Sequence, residues 1–227
     1  EWSLETSSPL CLLAMGRVLM EQRSWKRAEW CLRESIRIEP DLPEVRSCLA
    51  GVLAETGRAD QAMGMFNRIL RESPEDPEAL LSTAKLLMRL RRPSEAIERL
   101  EHLLRHDPLH LDAHELLATI AFATGHMDRA IFEFQLVLRL HPSHGSAMLG
   151  LAESLLATGR LNDARMLLKH MMKHREQICR IATVGRRPHD RLADLLLAAG
   201  WNGEAMTVAD ESIACNGASA ERYRRLA

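Results

Sequence analysis

The sequence predicts an all-α fold, an α-solenoid of stacked antiparallel helix pairs. Three series of residues sharing one period carry that prediction. Alanines stand at Ala28, Ala62, Ala96, Ala130 and Ala164, each 34 residues after the last. Prolines stand at Pro40, Pro74, Pro108 and Pro142 with the same 34-residue spacing. Small residues recur at Gly16, Ala50, Ala84, Ala118 and Ala152, each 12 residues before an alanine of the first series. A period of this length means a supersecondary unit repeated along the chain, each copy burying its apolar face against the next.

Each unit divides into two helices. In the first half, apolar and small residues fall at i, i+3, i+4 and i+7, as in Leu12, Met15, Gly16 and Leu19, or Met148, Leu151, Ala152 and Leu155. That spacing lines one face of a helix. The second half repeats the pattern in Ala130, Phe134 and Val137, and in Ala164, Leu168 and Met171. Gly57, Gly125 and Gly159 fall between the halves, where a tight turn is needed. Ser8-Pro9 and Asp76-Pro77-Glu78 place an N-cap residue and then a proline at the first helical position. Small residues on both helices let the two backbones approach closely.

Composition narrows the class. The 227 residues are 46% hydrophobic, 27% charged and 4% aromatic, with a formal charge of −1. The chain is too apolar for disorder and has no apolar run long enough to span a membrane. A near-zero charge creates no global attraction for nucleic acid or acidic lipid. Cys11, Cys31, Cys48, Cys179 and Cys215 are odd in number and widely spaced. They suit free thiols in a reducing, cytoplasmic setting better than a disulfide framework. The first residue is Glu rather than Met, so a fragment of a longer chain is expected; the apolar run Leu10–Met15 lacks the basic start of a signal peptide.

The pattern resembles the tetratricopeptide repeat (TPR) family. That family has an apolar or aromatic residue at position 4, Leu at 7, a small residue at 8, an apolar residue at 11, Ala at 20, an apolar or aromatic residue at 24 and Pro at 32. With Pro9 as position 1, five units follow at 9–42, 43–76, 77–110, 111–144 and 145–178. A sixth, degenerate unit fits 186–219 through His189, Leu192, Ala193, Leu196, Ala205 and Ala209. Residues 1–8 are then a lead-in or the end of a preceding helix, and 220–227 a C-terminal tail. Position 4 departs from the pattern at Arg46, His114 and His189, and position 32 at Glu176 and Gly217. The resemblance implies a right-handed superhelix whose concave groove is lined by the first helix of each unit.

The period breaks once. Ala205 follows Ala164 by 41 residues, seven more than the repeat. Apolar positions continue through Leu167, Leu168, Met171, Ile178, Ile181 and Ala182, so the insertion at 179–185 is expected to extend the preceding helix. A longer loop over 179–187 is the alternative.

No catalytic, metal or cofactor site is expected. His114-Glu115 begins like a metalloprotease HExxH, but Ala118 replaces the second histidine. His170 and His174 form an i, i+4 pair with no third ligand nearby in sequence, and zinc needs more. Phosphate-binding glycine loops and nucleophile elbows are missing. A basic stretch over 169–191 holds Lys169, Lys173, Arg175, Arg180, Arg186, Arg187 and Arg191 against Glu176 and Asp190. It could capture an acidic segment or phosphates, but it lacks aromatics to stack bases, which argues against nucleic acid. A solvated helix face is the competing explanation.

The expected function is that of a non-catalytic protein-interaction scaffold taking a partner peptide or amphipathic helix. The alternative is a regulatory or substrate-docking module of a larger enzyme, such as a transferase. Self-association is a further mode of protein binding left open. The resemblance places ligand contacts at positions 2, 5, 6, 9, 12 and 13 of each first helix. From these the groove is expected to use Leu13, Arg17, Met20, Leu81, Lys85, Met88, Phe122, Leu149 and Glu153. Leu13, Arg17, Cys48, Glu78 and Ser82 stand where the chaperone-binding members carry a two-carboxylate clamp, so acidic chaperone tails are not expected ligands. Several of the Leu and Met could instead be core between neighbouring first helices.

Overall fold

The structure is a computed structural model that describes residues 8–40, 42–173 and 188–208. Ten helices follow one another: α1 (Pro9–Glu21), α2 (Trp25–Ile38), α3 (Pro43–Glu55), α4 (Ala59–Glu72), α5 (Pro77–Arg89), α6 (Pro93–His106), α7 (Leu111–Ala123), α8 (Met127–Leu140), α9 (Gly145–Ala157) and α10 (Leu161–Lys173). After them come α11 (Pro188–Ala198) and a helical stretch at 202–208. No strand occurs among the described residues. The proposed helical extension over 179–185 and the tail 220–227 lie outside them. The first helices of successive pairs begin at residues 9, 43, 77, 111 and 145, in steps of the sequence period.

Local chemistry sets the helix ends. Pro9, Pro43, Pro77 and Pro93 sit in the first turn, where the missing N–H costs no hydrogen bond. Asp76 caps α5 by accepting from the Ala79 amide at 2.7 Å. Each first helix ends in the same way. The residue five positions beyond a carbonyl donates back to it, as in Arg58 to Leu53 at 2.9 Å and His126 to Ala121 at 2.8 Å. This closure needs one residue in the left-handed region. Gly57, Gly125 and Gly159 supply it with φ of +82°, +82° and +73°, and Arg23 and Arg91 adopt it without glycine's freedom.

The chain folds as two compact units divided between His110 and Leu111. The first holds α1–α6 around a core that includes Leu32, Val45, Leu49, Phe66 and Ile69. Across it, Arg58 clamps Glu29 with both terminal guanidinium nitrogens, at 2.7 and 2.5 Å. That hydrogen bonding, with a second from Arg33, holds the Glu29 carboxyl below the usual carboxylate range. The second unit packs Phe134, Val137, Leu151 and Leu155 in one cluster, and Leu168, Met171, Leu192 and Leu196 in another.

All five alanines of the 34-residue series are fully buried, as are Ala50, Ala84, Ala118 and Ala152. Gly16 is buried against Leu32, so close that a Cβ there would stand 2.9 Å from its Cδ2. The period therefore records backbone approach within each pair. Ala130→Leu is expected to lower stability by roughly 1–3 kcal/mol, because extra volume in a closed core forces strain. The exposed change Arg99→Ala should leave the melting temperature nearly unchanged. Urea denaturation of the two variants checks this, and equal midpoints would refute the packing.

Candidate functional site: the first-helix faces

In the first unit, α1, α3 and α5 stand side by side. The same repeat position on each helix forms a row across this face. Position 9 gives Arg17, Gly51 and Lys85; position 12 gives Met20, Ala54 and Met88. Arg17 and Lys85 are exposed, and Met20 and Met88 are half-buried. Between the two cations Gly51 carries no side chain, and a Cβ there would touch only the Met20 Cε, at an ordinary 3.6 Å. Core packing therefore does not demand this glycine. No side chain of the middle helix stands between the guanidinium and the ammonium in this row.

Acids share the face. Glu44 and Glu78 at position 2 are exposed and act on Arg17 through their charge. The neighbouring Cys48 sulfur is the larger cause, ahead of both acids, that raises the Arg17 pKa above the usual arginine value. Burial pushes the Cys48 thiol up, and the Arg17 contact only partly offsets it, so Cys48 is a protonated, packed thiol rather than a nucleophile. At the far end of the face Arg89 donates to Glu55 at 2.7 Å across one full repeat.

The second unit presents α7, α9 and α11 in the same way. Glu115 on α7 accepts from the Ser146 hydroxyl and lies 3.8 Å from His144 Nε2. Glu153 on α9 takes a two-pronged hydrogen bond from Arg191 on α11, at 3.0 and 2.9 Å. Arg191, counted in the sequence as part of a free basic stretch, is thus committed to an ion pair. Glu153 is half-buried and neutralised in that pair.

Three of the expected groove residues are corrected. Leu13, Leu81 and Leu149 are buried, with Leu149 fully enclosed. All three occupy position 5, which here turns toward the neighbouring helices and joins the core. Leu13 packs with Val45 and Leu49, and Leu149 with Leu168 and Leu192. Phe122 is half-buried against the cluster of Phe134 and Leu155, not free on the surface. Gly150, another expected contact position, is covered by the Phe134 ring. Lys169 and Lys173 are exposed on α10, while Arg180, Arg186 and Arg187 lie outside the described residues.

One feature escaped the sequence reading. His114 Nδ1 meets Glu133 Oε2 at 2.7 Å inside the second unit, both residues only 7% exposed. His114 occupies position 4, where Leu12, Leu80 and Met148 stand in other units. The other described departure at that position, Arg46, pairs with Glu72 at 2.8 Å. In both units a polar residue at position 4 is matched by a glutamate on the second helix of the same pair. The polar intrusion into an apolar column was the signal; its partner could not be read without coordinates.

Comparison with known proteins fits this architecture. A family profile described as tetratricopeptide repeat matches residues 19–86, 53–120, 87–140 and 121–177. The chain belongs to the tetratricopeptide repeat family. Repeats of this kind generally mediate protein–protein interaction. Among curated proteins none matches the sequence. Among solved structures, a type IV pilus biogenesis factor, PilW, is 17% identical with a TM-score of 0.76, over 96% of this chain and 97% of its own. PilF of Pseudomonas aeruginosa is 18% identical with a TM-score of 0.72, over 96% of each chain. A tetratricopeptide repeat protein from Parabacteroides merdae is 16% identical with a TM-score of 0.70, over 99% of this chain and 84% of that one. At these identities the likeness concerns the fold. No described helix of this TPR chain is long and apolar enough to cross a membrane.

Proposed function

We propose that this TPR chain is a non-catalytic scaffold whose first-helix face in the first unit, built on Arg17, Met20, Lys85 and Met88, docks a partner peptide or amphipathic helix. The observation that carries the reading is the row Arg17–Gly51–Lys85, two exposed cations on either side of a glycine, bordered by two half-buried methionines. Unbranched thioethers adapt to differently shaped apolar side chains, and the cations set orientation. Glu44 and Glu78 on the same face disfavour a ligand that is acidic along its whole length. A mixed-charge segment with apolar anchors fits best.

The reading is tested by affinity capture on the intact chain with quantification of the captured protein. Arg17→Glu with Lys85→Glu should reduce capture at least tenfold, whereas Lys169→Glu on α10 should not. Equal capture by the face variant and the wild type would refute it. A peptide ending in Glu-Glu-Val-Asp should show no micromolar binding, and finding it would equally count against the reading.

A further inference from the structure

Position 29, in the last turn of each second helix, holds an exposed cation: Arg37, Arg71, Arg105, Arg139 and Lys173. A positive charge there complements the helix dipole, which accounts for the series as a whole. Position 22, two turns earlier on the same stripe, follows no such rule. It is Gly64 on α4 and an exposed Glu98 on α6, but Phe132 on α8 and Met166 on α10. These two are 56% and 75% exposed. On α2 the residue is Trp30, also exposed, yet the cations beside it are neutralised: Arg33 pairs with Glu29 at 2.9 Å and Arg37 with Glu34 at 2.8 Å.

In the second unit the apolar residues stand among cations alone. From Phe132 to Arg139 the one acid, Glu133, is buried against His114. From Arg165 to Lys173 there is no acid, and Arg165, Lys169 and Lys173 are exposed. The counterpart of Lys169 on α6 is an exposed Glu101. Asp163, the one acid of α10, is held by Arg160 at 2.7 Å. Both α8 and α10 pack on α9, and Leu138 of α8 lies against the cluster that contains Leu168 and Met171 of α10, so the two stripes are neighbours. A cavity of about 460 Å³ opens on α8, lined among the described residues by Phe132, Gln135, Leu138 and Arg139. Its apolar walls stand beside a guanidinium.

We propose that this outer face of α8 and α10 binds the surface of an anionic phospholipid bilayer. Phe132 and Met166 enter the boundary between headgroups and acyl chains, while Arg139, Arg165, Lys169 and Lys173 meet the phosphates. Attachment is peripheral, since no described helix is long and apolar enough to cross a membrane. Hydrogen-bonding chemistry favours lipid over an extended peptide. Among the exposed side chains from Phe132 to Arg139 and from Arg165 to Lys173, only Gln135 and His170 carry a strong acceptor. A peptide backbone brings donors that need acceptors, whereas lipid phosphates need donors alone. The face belongs to the second unit and stands independently of the Arg17–Lys85 face.

Flotation of the intact chain tests this, with vesicles of phosphatidylcholine alone or containing one third phosphatidylglycerol. The chain should bind the anionic vesicles at least tenfold more tightly than the neutral ones. Lys169→Glu with Lys173→Glu should weaken that binding at least tenfold, and so should Phe132→Ser with Met166→Ser. All four residues are exposed, so circular dichroism should show helical content and melting temperature near wild type. Arg17→Glu with Lys85→Glu makes the same change in net charge on the other unit and should float like wild type. Failure to float with anionic vesicles would overturn the proposal, as would flotation that survives either pair of substitutions on α8 and α10. A synthetic helix of leucine and glutamate that binds through Lys169 and Lys173, while the chain does not float, would assign the face to an acidic protein segment instead.

Discussion

His114→Leu is expected to destabilise the second unit by about 3 kcal/mol, although leucine is the residue found at this position in two other units. The reason is the group left behind. Glu133 keeps its carboxylate in a site 7% exposed, and its hydrogen bond from the imidazole is gone. Removing the partner of a buried carboxylate typically costs about 3–5 kcal/mol, because the charge left behind is neither solvated nor matched. Arg129 approaches Glu133 at 4.0 Å and is itself half-exposed, so it compensates for part of the loss, which places the effect at the lower end of that range. Restoring an apolar pair should reverse the effect. His114→Leu combined with Glu133→Met replaces both polar groups with side chains of similar volume and is expected to recover most of the stability. Urea titrations of the two single variants and the double variant give the coupling directly. A double variant no better than the worse single variant would mean that the pair contributes by packing alone.

The same residue shows which parts of this molecule can be read from its sequence. The 34-residue period was visible because it is enforced by backbone approach. Gly16, Ala50, Ala84, Ala118 and Ala152 cannot grow without driving two helices apart, so each unit meets the same demand. Helix ends were visible for a similar reason, since a left-handed residue is needed at every turn and glycine meets that need most cheaply. Exposure on the first-helix face follows no such rule. Position 5 carries buried Leu13, Leu81 and Leu149 but half-exposed Glu115, according to what the adjacent helix presents. Most ion pairs escape the period, although Arg89 and Glu55 stand one full repeat apart. Arg191 reaches Glu153 from beyond the seven-residue interruption, so its partner depends on how the chain returns after the break. Arg17 and Lys85 are exposed, as long charged side chains ordinarily are.

Gly150 and Gly64 both stand inside helices, yet substitution is expected to move stability in opposite directions. Glycine in a helix interior is disfavoured relative to alanine by about 0.5–1 kcal/mol, so propensity alone predicts a gain at both. At Gly64, on the exposed side of α4, an added Cβ would meet nothing within 4 Å. Gly64→Ala should therefore stabilise by about 0.5–1 kcal/mol. At Gly150 the added Cβ would fall 2.7 Å from both Cε1 and Cε2 of Phe134. The ring is 4% exposed and packed with Ala130, Val137, Leu151 and Leu155, so it has no free volume into which to turn. Overpacking of this kind typically costs about 1–3 kcal/mol, which outweighs the propensity gain for alanine. For Gly150→Leu, where three more carbons must also be placed, a loss of about 3 kcal/mol or more is expected. Phe134→Leu in the Gly150→Ala background should restore part of the loss by withdrawing the ring from the Cβ site, a coupling of about 1 kcal/mol or more between directly touching residues. Thermal melts of the four variants decide the matter. A Gly150→Ala variant more stable than wild type would show that the ring of Phe134 moves freely and that α8 and α9 are not held together by this contact.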